Sequence, residues 1–207
     1  YEPRPPYIIA LAKKQLHTAA TLIGEIVERK RAEKTLRRTT ERLQILHHID
    51  AEILRARSPR AIARVALEHL HDLIPYQLAS VNEIELDRKR ARSVIVLDQN
   101  GPVETLMSTW QPLHSGDVTI ERGRRGQARL VHDLAALESF SPLEKHLHSI
   151  GARSYISAPL MVQDELVGTL NLAAAEPSAF QPEHVEILHQ IAASLAVAMQ
   201  QAKLLAQ

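Results

Sequence analysis

The chain carries eleven histidines and no cysteine among its 207 residues, and that combination bounds its chemistry. Without cysteine there is no disulfide, no thiolate metal site and no thiol nucleophile. The imidazoles remain as candidate ligands for a metal or a haem iron. His47 and His48 are neighbours on a predicted helix and face different directions. His69 and His71, like His146 and His148, stand two apart on predicted helices. Each such pair diverges by roughly 200° and does not easily chelate one ion. His132, on a predicted strand, is the single histidine placed to line a pocket, although a lone strand histidine is more often structural. The stretch HLHDLIP from His69 to Pro75 lacks the acidic and basic pattern of a phosphoacceptor box. With no glycine-rich phosphate loop and no Ser/His/Asp constellation, the expectation is a non-catalytic chain.

A second set of candidates lies on predicted strands. Side chains on a strand alternate between faces. Tyr155 and Ser157 therefore share one face of their strand, and Thr169 and Asn171 one face of theirs. Polar groups on otherwise apolar strands are either pocket donors or plain sheet residues, and both readings stand. Trp110 and Leu113 are the candidate lid over such a pocket. Aromatic residues are few (Phe 2, Trp 1, Tyr 4), so purine stacking has little to work with.

The elements that must hold these residues follow from periodicity and punctuation. Ser154 to Val162 and Leu166 to Ala174 are apolar runs flanking Gln163-Asp164, which reads as a hairpin. Pro182, with Glu183 and Glu186 behind it, opens a long amphipathic helix in the way a first turn favours. Upstream, Ser58 and Pro59 cap a helix whose face is Ile62, Val65, Ala66, Leu70 and Leu73. Strands are predicted over 78–86, 91–97 and 128–133, with Asn100-Gly101-Pro102 as a turn. A short helix is expected near Asp117 to Arg122 and another from Ser141-Pro142 to about Ile150. Small residues at Ala158, Gly168 and Ala173 are read as allowing close helix packing. Strands joined by short turns with segregated helices imply an α+β fold on an antiparallel sheet.

Tyr155, Ala158-Pro159-Leu160, Gly168-Thr169-Leu170-Asn171-Leu172, Phe180 and the helix from Leu188 to Met199 together resemble the C-terminal half of a GAF domain. The resemblance implies a GAF/PAS-like sheet with helices on both faces over residues 58–207. The first and last helices would cover one face, with a ligand pocket on the other under the variable connection. It implies a regulatory small-molecule sensor from a bacterial signalling protein, such as a histidine kinase of a two-component system. Covalent bilin attachment in that family needs a cysteine, as do its free methionine sulfoxide reductases, and this chain has none. Its cyclic-nucleotide class carries a signature of which only Phe140 and Leu143-Glu144-Lys145 lie nearby, and they do not match it. Haem is not expected, and the ligand stays unnamed. The alternative is a ligand-free GAF domain acting only in dimerisation and relay.

Residues 1–57 read as an N-terminal signalling helix. From Tyr7 to about Ala56 there is no proline and one glycine, a helix of roughly 50 residues or on the order of 75 Å. Ile9, Leu16 and Ile23 mark one coiled-coil seam, and Leu36, Leu43, Leu46 and Ile53 another, with a stammer between the two. The joint from Glu28 to Arg42 is rich in Lys and Arg and reads as a solvated face with ion pairs; without interleaved aromatics, no nucleic-acid contact is expected. The segment before it would be the last helix of an upstream sensor domain. Leu188, Leu195 and Met199 lie on a heptad stripe of the final helix, so a parallel homodimer is expected through the arm and that helix. A monomer whose arm folds back on its own last helix is the alternative.

Lys plus Arg number 25 against 24 Asp plus Glu, so no net field favours nucleic acid or a membrane surface. No apolar run reaches the ~20 residues of a membrane span. The expected setting is cytoplasmic, which a chain without disulfides fits, and the chain is read as a piece of a longer protein because it opens on Tyr1 without a methionine or a signal peptide.

Overall fold

Where the sequence alternates, the chain pairs into one antiparallel sheet. The computed structural model describes residues 28–31, 33–34, 58–98, 100–103, 109–113 and 117–205. The chain divides into two units, Tyr1–His47 and His48–Gln207. In the first, residues 28–31 and 33–34 are helical with exposed side chains. Arg29 and Glu33 pair there at 3.8 Å, one turn apart. The expected seam residues Ile9, Leu16, Ile23, Leu36, Leu43, Leu46 and Ile53 lie outside the described residues, as do His47, His48 and the stammer.

In the second unit the elements run α1 (Pro59–Leu73), β1 (Leu78–Glu85), β2 (Arg90–Asp98), β3 (Gly101–Pro102), β4 (Gln111–Pro112), α2 (Val118–Gly123), β5 (Arg129–Val131), a 3-10 turn (Leu134–Ala136), α3 (Pro142–Ser149), β6 (Ser154–Val162), β7 (Glu165–Ala174) and α4 (Pro182–Leu205). The strands lie in the order β3-β2-β1-β7-β6-β5, with β4 also paired to β2. Every pairing is antiparallel. The β6–β7 hairpin turns through Gln163 and Asp164, both at positive φ (49° and 65°). That is the backbone a two-residue turn needs if it is to match the strands' twist.

α1 and α4 cover one face of the sheet. The Ser58 hydroxyl accepts the Ala61 N–H at 3.2 Å and starts α1. Tyr76 donates its buried hydroxyl to the Leu67 carbonyl at 2.8 Å and ties the end of α1 to the start of β1. Burial pushes the Tyr76 pKa up to about 12, with Glu68 and Asp72 adding to the effect. From α4, Leu188, Ile191, Ala192 and Leu195 are almost wholly buried, and they pack with Ile62, Leu67 and Leu70 of α1 and Ile156 and Leu172 of the sheet as the main core. Each large side chain buried this way contributes about 1.5–3 kcal/mol.

Several expectations are corrected. The α1 core face includes Ala63 and Leu67, while Val65 and Leu73 are only half-buried. Gly101-Pro102 is not part of a turn but a two-residue strand on β2. The Asp98 carboxylate accepts the Asn100 N–H at 2.7 Å and shapes the bend before it. β5 is shorter than predicted and ends at Val131. Leu188 and Leu195, assigned above to a dimer seam, are fully buried in the chain's own core, and Met199 is half-buried. Gly168 does not make room for a helix. A Cβ there would meet the Asn82 carbonyl oxygen of the next strand at 2.2 Å and a Leu160 methyl at 2.9 Å.

Candidate functional site

The face of the sheet opposite α1 and α4 carries a row of polar side chains, and strand register puts them there. Ser157 pairs with Asn171, Asn171 with Ser80, and Ser80 with Val96. One step along, Thr169 pairs with Asn82 and Asn82 with Ser93. Residues in register across antiparallel strands present side chains on the same face. β1 shows the consequence, alternating half-buried Leu78 and Ser80 with buried Ala79 and Val81. A bulge between Val81 and Asn82 shifts the register against β2. It disturbs the alternation where Asn82 and Ser93 meet.

The row is a hydrogen-bonded network. Ser157 Oγ donates to Asn171 Oδ1 at 2.6 Å. Asn171 Nδ2 donates to Ser80 Oγ at 3.1 Å and to Thr169 Oγ1 at 3.2 Å. Asn82 Nδ2 donates to Thr169 Oγ1 at 3.3 Å, and Ser93 Oγ donates to Asn82 Oδ1 at 2.9 Å. Four strands are thus cross-linked by side chains as well as by backbone. Over this floor is a cavity of about 220 Å³. Leu78 and Val96 wall it; Leu143, His146 and Leu147 of α3 roof it. Among the described residues no Lys, Arg, Asp or Glu lines it.

The roof is pinned by a second network. Ser141 and Glu144 form a capping box at the start of α3. The Glu144 carboxylate accepts the Ser141 N–H at 2.8 Å through Oε2. Its Oε1 accepts from Arg129 of β5 and from the Tyr155 hydroxyl of β6 at 2.9 Å. Arg129 Nε also reaches the Tyr155 oxygen at 2.6 Å. Burial works to raise the Glu144 pKa, but the Ser141 N–H, Arg129 and Tyr155 outweigh it and hold the carboxyl below the ordinary value of 4.5. Burial likewise works against the charge on Arg129, and the bonds to Glu144 and Tyr155 overcome it, leaving that pKa raised. Burial pushes the Tyr155 phenol well above its ordinary 10.

Of the residues singled out from the sequence, Asn171 lines the cavity, and Ser157 and Thr169 belong to the network beneath it. Tyr155 joins the roof anchor instead. Ala173, read above as a packing position, lines the cavity. His132 lies just past β5, exposed, and is not among the cavity's lining residues. Trp110 does not cap the cavity either. Its ring stacks under the Arg90 and Arg92 guanidiniums, at 4.2 and 4.7 Å to the centroid. Leu113 follows β4 and donates its N–H to the Lys89 carbonyl at 2.8 Å. Among the described residues, no group of three His, Asp or Glu side chains is placed to hold a metal ion.

The network continues on the other face. Glu83, next to Asn82, accepts from Arg92 at 2.8 Å and from Lys203 of α4. Burial works to raise the Glu83 pKa, but Lys203 and Arg92 outweigh it and the net shift is downward. Trp110, Arg92, Glu83 and Lys203 thus form a chain of contacts from β4 to the last turns of α4.

The GAF domain family profile matches residues 58–199. Among curated proteins, none matches this chain. Solved structures share the fold. The chromophore-binding domain of an unusual bacteriophytochrome from R. palustris aligns with a TM-score of 0.64 at 13% identity, over 80% of this chain and 63% of that one. This chain therefore spans less than two thirds of that domain's length. A cyanobacteriochrome GAF domain aligns with a TM-score of 0.62 at 16% identity, over 73% of this chain and 95% of that one. The free methionine-R-sulfoxide reductase from Neisseria meningitidis, solved with its substrate, aligns with a TM-score of 0.63 at 16% identity, over 79% of this chain and 91% of that one.

Proposed function

The chain belongs to the GAF domain family over residues 58–199, and on that premise we propose that it is the regulatory sensor module of a multidomain signalling protein of the histidine-kinase type. It binds a small molecule and passes the signal through a dimeric helical linker. The observation that carries this reading is the cavity itself, with a polar floor drawn from β1, β2 and β7 and a roof helix pinned by a buried ion pair. Polar side chains are costly to bury on a sheet face, and a row of them under open space suits a binding site better than a packed core.

The relay follows from adjacency. Asn82 on the cavity side holds Ser93, and its chain neighbour Glu83 on the other side holds Arg92 and Lys203. A ligand that alters the Asn82–Ser93 contact shifts the strands that grip the end of α4. To regulate, it must bind one arrangement more tightly than the other.

The dimer surface on α4 is not the stripe read from the sequence. Glu186, Gln190, Ala193, Val197, Gln200 and Leu204 step by four, three, four, three and four. All are exposed except half-buried Gln200. That spacing offers a coiled-coil seam to a second copy of the chain. Among the described residues no helix is long and apolar enough to cross a membrane; a cytoplasmic setting is part of the proposal. Tetrapyrrole binding is not part of the proposal. Among the described residues no Lys or Arg lines the cavity to meet carboxylate side arms, and the chain has no cysteine for covalent attachment.

A ligand-free relay module is the second reading. It is favoured by one fact: every buried side-chain nitrogen and oxygen among the described residues has a hydrogen-bond partner. Native mass spectrometry of the purified protein decides between them. A dimer with a discrete extra mass, lost on denaturation, supports the sensor. A bare dimer that stays bare after incubation with cell extract supports the relay.

A further inference from the structure

The floor of the cavity holds more hydrogens than its own acceptors take up. Ser80 Oγ accepts an N–H from Asn171, and its own hydroxyl hydrogen meets no acceptor among the described residues. Asn82 spends one amide hydrogen on Thr169, and its second meets no acceptor among the described residues, while its oxygen is engaged by Ser93. Asn171 by contrast spends both amide hydrogens, on Ser80 and Thr169, and its oxygen is held by Ser157. A hydroxyl has one hydrogen to give and an amide nitrogen two. Ser80 and Asn82 are half-buried, so water meets these hydrogens in the open cavity, and a ligand that displaces that water must supply an acceptor or lose the hydrogen bond. Ser80 and Asn82 both line the cavity, so the unspent hydrogens border open space.

The rest of the lining narrows the class. Leu78, Val96 and Leu147 make an apolar wall and roof. Among the described residues the lining holds no acidic side chain and no lysine or arginine; its one titratable side chain is His146, which is exposed on α3, and burying an uncompensated charge is expensive. Among the described residues no Phe, Tyr or Trp lines the cavity to stack on a flat base. At about 220 Å³, the cavity is below the ~300 Å³ where drug-sized sites begin.

The geometry points to a ligand class: a small uncharged molecule with an apolar body and one carbonyl-type acceptor, seated with its oxygen on Ser80 Oγ and Asn82 Nδ2. This rests on the reading of the cavity as a ligand pocket, and the test separates the two claims. Acetophenone, ethylbenzene and benzoate share a ring and differ in the head group. Each is titrated into the whole chain while NMR follows the Leu147 methyls and the Asn82 side-chain amide. Acetophenone should move both sets and saturate at a concentration about tenfold below ethylbenzene, the worth of a hydrogen bond gained in the site. Benzoate should move neither. Ser80→Ala should erase the preference for the ketone, and Ser80→Thr, which keeps the hydroxyl, should restore it. If ethylbenzene or benzoate binds as tightly as acetophenone, the acceptor class is wrong and the pocket stands. The same holds if the preference survives in Ser80→Ala. If no probe moves the Leu147 methyls, the pocket reading falls and the ligand class falls with it. The wild-type comparison alone decides between these outcomes should a variant fail to fold.

Discussion

The two faces of this sheet are built on opposite rules. On the α1/α4 face, Ile62, Leu67, Leu70, Leu188 and Leu195 are fully or almost fully buried and fill the space with hydrocarbon. On the α3 face, Ser157, Asn171, Thr169, Asn82 and Ser93 are linked to one another through hydrogen bonds and leave a cavity. The same strands serve both, because alternation sends neighbouring residues to opposite sides. The comparison teaches where stability and adaptability are kept apart. A close-packed face tolerates little change in volume. A hydrogen-bonded face above open space can exchange an internal partner for a ligand at small net cost.

This contrast can be broken from either face, beginning with the most severe change. Leu195→Ala should be the most damaging change, costing about 2–5 kcal/mol in chemical denaturation because the cavity it leaves cannot collapse between α4 and the sheet. Ser157→Ala, on the other face, should cost only about 1 kcal/mol. Near-equal losses would erase the distinction between the faces. Glu144→Gln should cost on the order of 3 kcal/mol, since it strands Arg129 beside Tyr155. The pH dependence has a definite sign. The folded Glu144 pKa lies below the ordinary 4.5, so its contribution is complete above the unfolded value and is lost as pH falls through the folded one. The stability difference between wild type and Glu144→Gln should therefore shrink on acidification below about pH 4.5, read by denaturation at several pH values. Gly168→Ala should cost about 1–3 kcal/mol, because its Cβ would run into the Asn82 carbonyl. Lys203→Met, at a surface ion pair, should cost no more than about 1 kcal/mol. Its larger effect is expected on how cavity changes reach α4.

Legibility from the sequence followed the range of the interactions. The β6–β7 hairpin, α4 and the capped helices were readable because a turn, a proline or a cap acts within a few residues. Tyr155, Ser157, Thr169 and Asn171 stand out as polar groups at strand spacing in otherwise apolar runs. Ser80, Asn82 and Ser93 do not, although they complete the same floor. Ser80 and Asn82 keep the alternation of β1, but β1 carries polar residues at Asn82, Glu83 and Glu85 on both faces, so its polar positions do not single out one side; on β2 the extra residue Val94 at the bulge breaks the period beside Ser93. Glu144 had a local signal in its capping box with Ser141. Its partner Arg129 is joined to it only by the fold, so the ion pair had none. Trp110 was placed over the cavity because an aromatic in a variable connection suits a lid; two arginines on β2 hold it elsewhere. The α4 seam was misassigned because two heptad-like stripes run along that helix and spacing alone does not say which one faces the sheet.

The bulge is where the two faces meet, with Asn82 turned to the cavity and Glu83 to α4. Hydrogen exchange followed by mass spectrometry in Asn82→Ala and Ser157→Ala tests that junction without a ligand. The account predicts faster exchange in Asn82→Ala both around β1–β2 and in the last turns of α4 near Lys203, and in Ser157→Ala only around β6–β7. An α4 end that exchanges as in wild type in Asn82→Ala, or one that loosens equally in both variants, would contradict it.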